Sequence, residues 1–197
     1  MERTGSVLLL VRHGETEWSR SGQHTGRTDL PLLDDGRAAA AALGRRLARR
    51  TFALRLSSPM LRARDTADLS GLGGADLEYT DDLLELGYGE YEGRTTRDIR
   101  TERPGWDLWS DGTPGGEPLD EAGARVDRVI ERVRASDGDA IVFAHGHILR
   151  ILGARWVGQP PTFASSLGLD TAALCELGFQ REHPVIWLWN DTTHLLH

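Results

Sequence analysis

Apolar residues along this chain fall into two alternating patterns. Short unbroken runs, such as Leu8–Val11 and the "AIVFA" of residues 140–144, have the length and composition of strands buried on both faces. Between them lie longer stretches in which charged residues are interleaved with apolar ones at helical spacing. "DDGRAAAAALGRRLARR", Asp34 to Arg50, opens on two aspartates and closes on arginines, the polarity that a helix macrodipole favours. "ALRLSSPM" reads as a short strand stopped at Pro59, and "LRARDTADL" as the helix after it. A glycine-rich turn at 71–74 leads to "DLEYTDDLLEL", a strand and its exit. The Gly- and Pro-rich stretch from Gly105 to Pro118 predicts a loop, and "LDEAGARVDRVIERVRA" the helix beyond it. "AIVFAHGHILRILGARWV" is a strand running into a helix, and "AALCELGFQ" and "PVIWLWND" are closing strands. This alternation predicts βαβ units and a largely parallel sheet. No repeat, low-complexity tract or linker divides residues 1–197, so a single domain is expected.

Two of the strand-like runs end in the same way. "LVRHG" sets Arg12 and His13, and "FAHGH" sets His145, at the point where an apolar run gives way to glycine. Open α/β sheets bind ligands in the crevice beyond the carboxyl ends of their strands, and neighbouring parallel strands bring such ends together. One histidine in such a place is most simply a local cap bonded to nearby backbone. Two of them, with Arg12 and with Arg62 just after the strand ending "SSP", point instead to a site.

Composition narrows the chemistry. With 197 residues, 39% of them apolar and 27% charged, the chain has ordinary globular composition. Its formal charge of -7 argues against a surface that coats nucleic acid. Cys175 is the only cysteine, so no intrachain disulfide can form. The apolar run near the N-terminus is too short for a signal peptide or a membrane span, and a cytoplasmic location is the default expectation. All 23 basic residues counted with lysine are arginines. That excludes Schiff-base, P-loop and Ser-Lys chemistry, and leaves a planar guanidinium suited to phosphate or carboxylate.

A phosphate monoester carries about -1.5 to -2 charges near neutral pH and calls for fixed cations and directed N–H donors. Arg12, Arg62 and a protonated or N–H-donating His145 supply them. His13 then remains as the nucleophile, because a neutral imidazole with one N–H held by backbone presents a lone pair to phosphorus. The alkoxide that leaves needs a proton. A positioned carboxyl raised in pKa would provide one, but the residues alone do not select among Glu85, Glu90 and Glu92.

"LVRHGETEW", "TGRTDLPL", "SSPMLRARDTA", "LLELGYGEYEG", "PGWDLWSDGTPGGEP", "FAHGHILR" and "NDTTHL" follow, in order, the motifs of the histidine phosphatase superfamily, also called phosphoglycerate mutase-like, and the chain resembles that family from Val7 nearly to its end. The resemblance implies a three-layer α/β/α fold, a mostly parallel central sheet, a covalent phosphohistidine, and no metal or other cofactor. By position, His13 resembles the nucleophile, Arg12, Arg62 and His145 the phosphate pocket, and Glu85 the proton donor. Ser19, Thr25, Gly26, Tyr88 and Gly146 fall at substrate-contacting positions. The wording is most similar to the sugar-bisphosphatase and acid phosphatase branch that includes sedoheptulose-1,7-bisphosphatase.

The implied activity is hydrolysis of a small phosphorylated metabolite. A phosphoglycerate mutase and a non-catalytic phosphate-recognising module are the alternatives. Leu86 argues against the mutase, since the mutases carry there an arginine for the substrate carboxylate, and Ser19 stands where they carry asparagine. His24 is expected to face a substrate hydroxyl or phosphate. Arg94, Arg97 and Arg100 are candidate cations for a second phosphate. Trp106 and Trp109 could equally close over a sugar ring or anchor their loop, and "SGQHTGRTD" reads as a polar, flexible loop over the phosphate. The expected partner is the small-molecule substrate, with no nucleic acid or membrane, a homodimer being one allowed assembly. His145-x-His147 has metal-ligand spacing but lacks companions, "GLGGAD" lacks the third glycine of a dinucleotide fingerprint, and "RRLARR" is the solvated end of a helix.

Overall fold

The computed structural model describes residues 3–195. Six strands form one sheet: β1 (Arg3–Arg12), β2 (Leu54–Ser57), β3 (Leu77–Tyr79), β4 (Ala140–Ala144), β5 (Leu174–Gln180) and β6 (His183–Asp191), in the spatial order β3-β2-β4-β1-β5-β6. The strands β3, β2, β4 and β1 run parallel, β5 runs antiparallel to β1, and β6 antiparallel to β5. The β1–β4 register sets Arg12 opposite Ala144, so the two strand ends that carry His13 and His145 finish side by side.

The alternation of side chains along β1 divides the core. Leu8 and Leu10 join a large apolar cluster with α6 (Leu119–Arg134) and α7 (Gly146–Trp156), while Leu9 and Val11 join a smaller one with α2 (Asp34–Leu47) and α3 (Leu61–Leu69). Helices therefore cover both faces, the three-layer arrangement the resemblance implied. Helix α6 buries Ala122, Gly123, Val126, Val129, Ile130 and Val133, an apolar stripe at helical spacing, and each large side chain in it contributes roughly 1.5–3 kcal/mol. On the opposite face Gly14 and Gly36 meet so closely that a Cβ on Gly14 would lie 2.4 Å from the Gly36 carbonyl oxygen. That contact seats the start of α2 against the turn after β1.

Three short helices were not read from the sequence: α1 (Glu17–Ser21), α4 (Thr96–Glu102) and α5 (Leu108–Asp111). The last corrects the expectation of a plain loop over Gly105–Pro118, because Asp107 accepts hydrogen bonds from the amides of Trp109 and Ser110 and starts a helical turn inside the Gly/Pro stretch. Among the described residues no helix is long and apolar enough to cross a membrane.

Candidate active site

A cavity of about 270 Å³ opens beyond the carboxyl ends of β1 and β4. Arg12, His13, Glu85 and Gly146 lie at its inner end, and Trp18, Gln23, His24, Tyr88, His147 and Arg150 are among the residues around the rest.

His13 is buried, and its Nδ1 lies 2.7 Å from the Gly14 carbonyl oxygen. A carbonyl can only accept, so Nδ1 carries the proton and Nε2 keeps its lone pair. Among the described residues Nε2 has no hydrogen-bond partner. Burial, then the charges of Arg62 and Arg12, hold the His13 pKa well below that of an ordinary histidine, and the ring is neutral at physiological pH. The His145 ring lies 5.2 Å from it, edge-on, and is held neutral in the same way by burial, Arg62 and His13. The protonated option for His145 is thereby corrected in favour of the neutral N–H donor. Arg62 Nε donates to His145 Nδ1 at 3.1 Å, which leaves the proton on Nε2, where it meets Ser58 Oγ at 2.7 Å.

The two arginines differ in their surroundings. Arg62 is fully buried below the cavity and does not border it; its remaining N–H groups donate to the carbonyls of Thr25, Gly26 and Thr28. Arg12 borders the cavity, donates Nη1 to the Leu169 carbonyl at 2.5 Å, and has a buried Nε without a partner. An unmet donor of this kind in a cationic wall suits an anionic oxygen. Gly146 lets the guanidinium lie close against the start of α7, since a Cβ there would stand 3.3 Å from the guanidinium carbon.

Glu85 reaches the start of α7 from a distant segment. Its carboxylate accepts from the amides of His147 and Ile148, each at 2.9 Å, and of Leu86 at 3.0 Å, so it fills the helix N-terminus where an anion is most stable. Burial pushes its pKa up, but hydrogen bonding and charge from the His147 side chain, with the His147 amide, outweigh that and hold it well below the usual carboxylate range. Of the two causes that could raise this carboxyl, burial or the charge of a nearby phosphate, burial alone does not do so here. Glu92, a competing candidate, instead pins the neighbouring loop by accepting from the amides of Gly26 and Thr28.

The remaining sequence-selected positions separate. Ser19 borders the cavity, but its hydroxyl is engaged in a reciprocal cap with Thr16 at the start of α1. Thr25 borders the cavity and Gly26 does not; Gly26 sits where a Cβ would meet the Leu86 carbonyl oxygen at 2.5 Å. Tyr88 borders it, with its hydroxyl 2.6 Å from His147 Nδ1. The "SGQHTGRTD" segment is tied down on both sides and not free: Gln23 and His24 exchange bonds with Gly93 and Arg94. His24 packs 4.8 Å from the Tyr88 ring, and burial, then His147, lower its pKa to about 4. Trp106 is buried, donates to the Gly112 carbonyl and anchors its loop, whereas half-buried Trp109 lies 5.3 Å from the His147 ring. Leu86 is buried in the core and contributes nothing to the cavity wall. Arg94 pairs with Glu102, Arg100 donates to the Trp106 carbonyl, and Arg97 is exposed; none of the three borders the cavity.

Sequence reasoning missed Ser58, Gln23 and Arg150, and set His147 aside as a metal-ligand echo. Arg150 could have been found from its spacing, since it follows Gly146 by four residues on one helix face.

Residues 8–192 match the model of the histidine phosphatase superfamily, branch 1. The chain belongs to this family. It is 38% identical over 177 residues to an acid phosphatase of Mycobacterium tuberculosis, an alignment covering 88% of this chain and 86% of that protein. It is 40% identical over 182 residues to sedoheptulose 1,7-bisphosphatase of Saccharomyces cerevisiae, covering 76% and 67% respectively. The solved structure of an open reading frame from M. tuberculosis superposes with a TM-score of 0.87 at 35% identity, covering 95% of this histidine phosphatase chain and 98% of the other.

Proposed function

We propose that this protein is a metal-independent phosphomonoesterase that hydrolyses a small phosphorylated metabolite, a sugar phosphate or bisphosphate, through a phosphohistidine on His13. The observation that carries the reading is the fixed tautomer of His13, which leaves an unpartnered Nε2 beside an Arg12 guanidinium with an unmet donor. Nε2 attacks phosphorus, the ester P–O bond breaks, and the departing oxygen takes a proton from Glu85. Water then attacks the phosphohistidine, returns a proton to Glu85, and the P–N bond breaks to release phosphate. Arg12 and the N–H of Gly146 hold the phosphoryl oxygens, and Arg62 with Ser58 orients His145 beneath them.

Glu85 starts this cycle ionised. A phosphate dianion brought beside it raises its pKa, and with a second phosphate pKa near 6 the monoanionic substrate itself brings the proton that the two groups share. The names of the relatives, an acid phosphatase and a sugar bisphosphatase, support both the activity and this acid-side chemistry. The buried Leu86 supports hydrolysis over mutase chemistry, since it offers no fork to a substrate carboxylate. A binding module would need neither a free Nε2 nor a carboxyl opposite it.

Rapid mixing with labelled phenyl phosphate and quenching in alkali should leave label on the protein that acid removes, and His13→Ala should abolish label and turnover together. Label retained by that variant would overturn the mechanism.

A further inference from the structure

His147 lies where the two ends of the cavity meet, with its amide on Glu85 and its ring on the cavity wall. The amide donates to Glu85 Oε2 at 2.9 Å, and the ring Nδ1 stands 3.6 Å from the same oxygen, an ion-pair distance. Nδ1 also lies 2.6 Å from the Tyr88 hydroxyl, and among the described residues neither that hydroxyl nor the ring Nε2 has another partner. A carboxylate only accepts, whereas a phenol donates or accepts, so a proton on Nδ1 satisfies both neighbours at once. Burial, then the charges of Glu85 and Glu92, raise the Tyr88 pKa well above that of an ordinary phenol, and its hydroxyl stays neutral beside the ring. The rings of Trp109, Tyr88 and His24 pack around the imidazole at 5.3, 5.8 and 6.1 Å and limit its rotation.

We propose that the His147 ring is a positioning residue for the acid: its Nδ1–H grips the Glu85 carboxylate against the start of α7 until a phosphate enters, and so fixes when Glu85 can take up its proton. The proposal rests on the reading that Glu85 protonates the leaving group. Other charged and titratable groups approach from every side, Arg12 and His13 from β1, Arg62 from α3, His145 after β4, Arg150 from α7 and His24 from the 22–25 segment. Among the described residues, however, only the His147 side chain stands within ion-pair distance of the carboxylate. The amides of Leu86, His147 and Ile148 would still hold Glu85 without the ring. What the ring adds is a donor that a proton can strengthen.

The test separates the ring's donor from its bulk. Asparagine places a side-chain N–H where Nδ1 stands, and glutamine places one nearer to Nε2, so His147→Asn should keep the donor to Glu85 and His147→Gln should lose it. Infrared difference titrations read against Glu85→Gln follow the Glu85 carboxylate in the resting protein, over the pH range in which circular dichroism shows each variant folded. The carboxylate band should vanish at least about one pH unit higher in His147→Gln than in the parent, and His147→Asn should reverse most of that shift. The acid limb of kcat/KM on an alkyl phosphate should move up with it, and kcat should fall about tenfold on that substrate but less than about threefold on nitrophenyl phosphate. A band that vanishes at no higher pH in His147→Gln, or that moves equally in both variants, overturns the role whatever the turnover results. The expected shift in a protein whose wild type releases no phosphate from phenyl phosphate would instead overturn only the phosphatase reading.

Discussion

The inner and outer halves of the cavity are built by different means. The inner half is made by the sheet: Arg12 and His13 end β1, His145 follows β4, and every one of these side chains is held by a backbone carbonyl or by a neighbour so held. The outer half comes from α1, the 22–25 segment, Tyr88 and the outward face of α7, side chains carried on elements other than the strands. A site of this form separates reaction from recognition. Changes at the sheet end should alter the chemical step on every substrate, and changes at the outer end should alter which substrate is held.

The sharpest probe of the inner half is Glu85→Gln. It should slow hydrolysis of alkyl phosphates by about 10²–10⁴-fold in kcat, and that of nitrophenyl phosphate far less, because a phenolate leaves without a proton. Equal losses on both would move the acid elsewhere and blur the division. Acid stability tests whether the buried rings of both halves tolerate protons. His13, His24 and His145 all have pKa values below that of a free histidine, so the unfolded chain binds more protons and stability falls as pH drops below about 6.5. Urea titrations should show a loss on the order of a few kcal/mol between pH 7 and the His24 value of about 4. A flat profile would mean that these rings are charged in the fold. The smallest effect is expected outside: Trp109→Leu removes the ring beneath Arg150 and should raise KM a few-fold with kcat nearly unchanged. A fall in kcat instead would place the outer wall in the chemical step.

The same division explains what could be read from the sequence. Strand ends announce themselves, because an apolar run must stop somewhere and the residues at the stop are displayed together; Arg12, His13 and His145 were legible for that reason. Helices α2, α3, α6 and α7 were legible from charge polarity and spacing. Arg62 was chosen for its proximity to the strand ends and does contact His145, yet its place beneath the cavity depends on carbonyls of residues 25–28, which no local pattern reports. The resting pKa of Glu85 was not legible, because the three amides that lower it arrive from Leu86 and from a helix some sixty residues away. Ser19 borders the cavity as expected of a ligand contact, but that its hydroxyl also closes the cap of Thr16 on α1 was not legible, since the same hydroxyl chemistry serves both.

Glu85 also provides a way to watch the reaction. The amides of His147 and Ile148 are two of the three that donate to its carboxylate, so in the proposed cycle the proton passing on and off Glu85 weakens and restores these two backbone hydrogen bonds. In a nitrogen–proton correlation spectrum those two signals should shift together with Glu85 protonation, although neither amide takes part in bond making. The first turn of α7 thus serves as a built-in spectroscopic indicator of the acid, readable in the resting protein and again with a bound phosphate mimic.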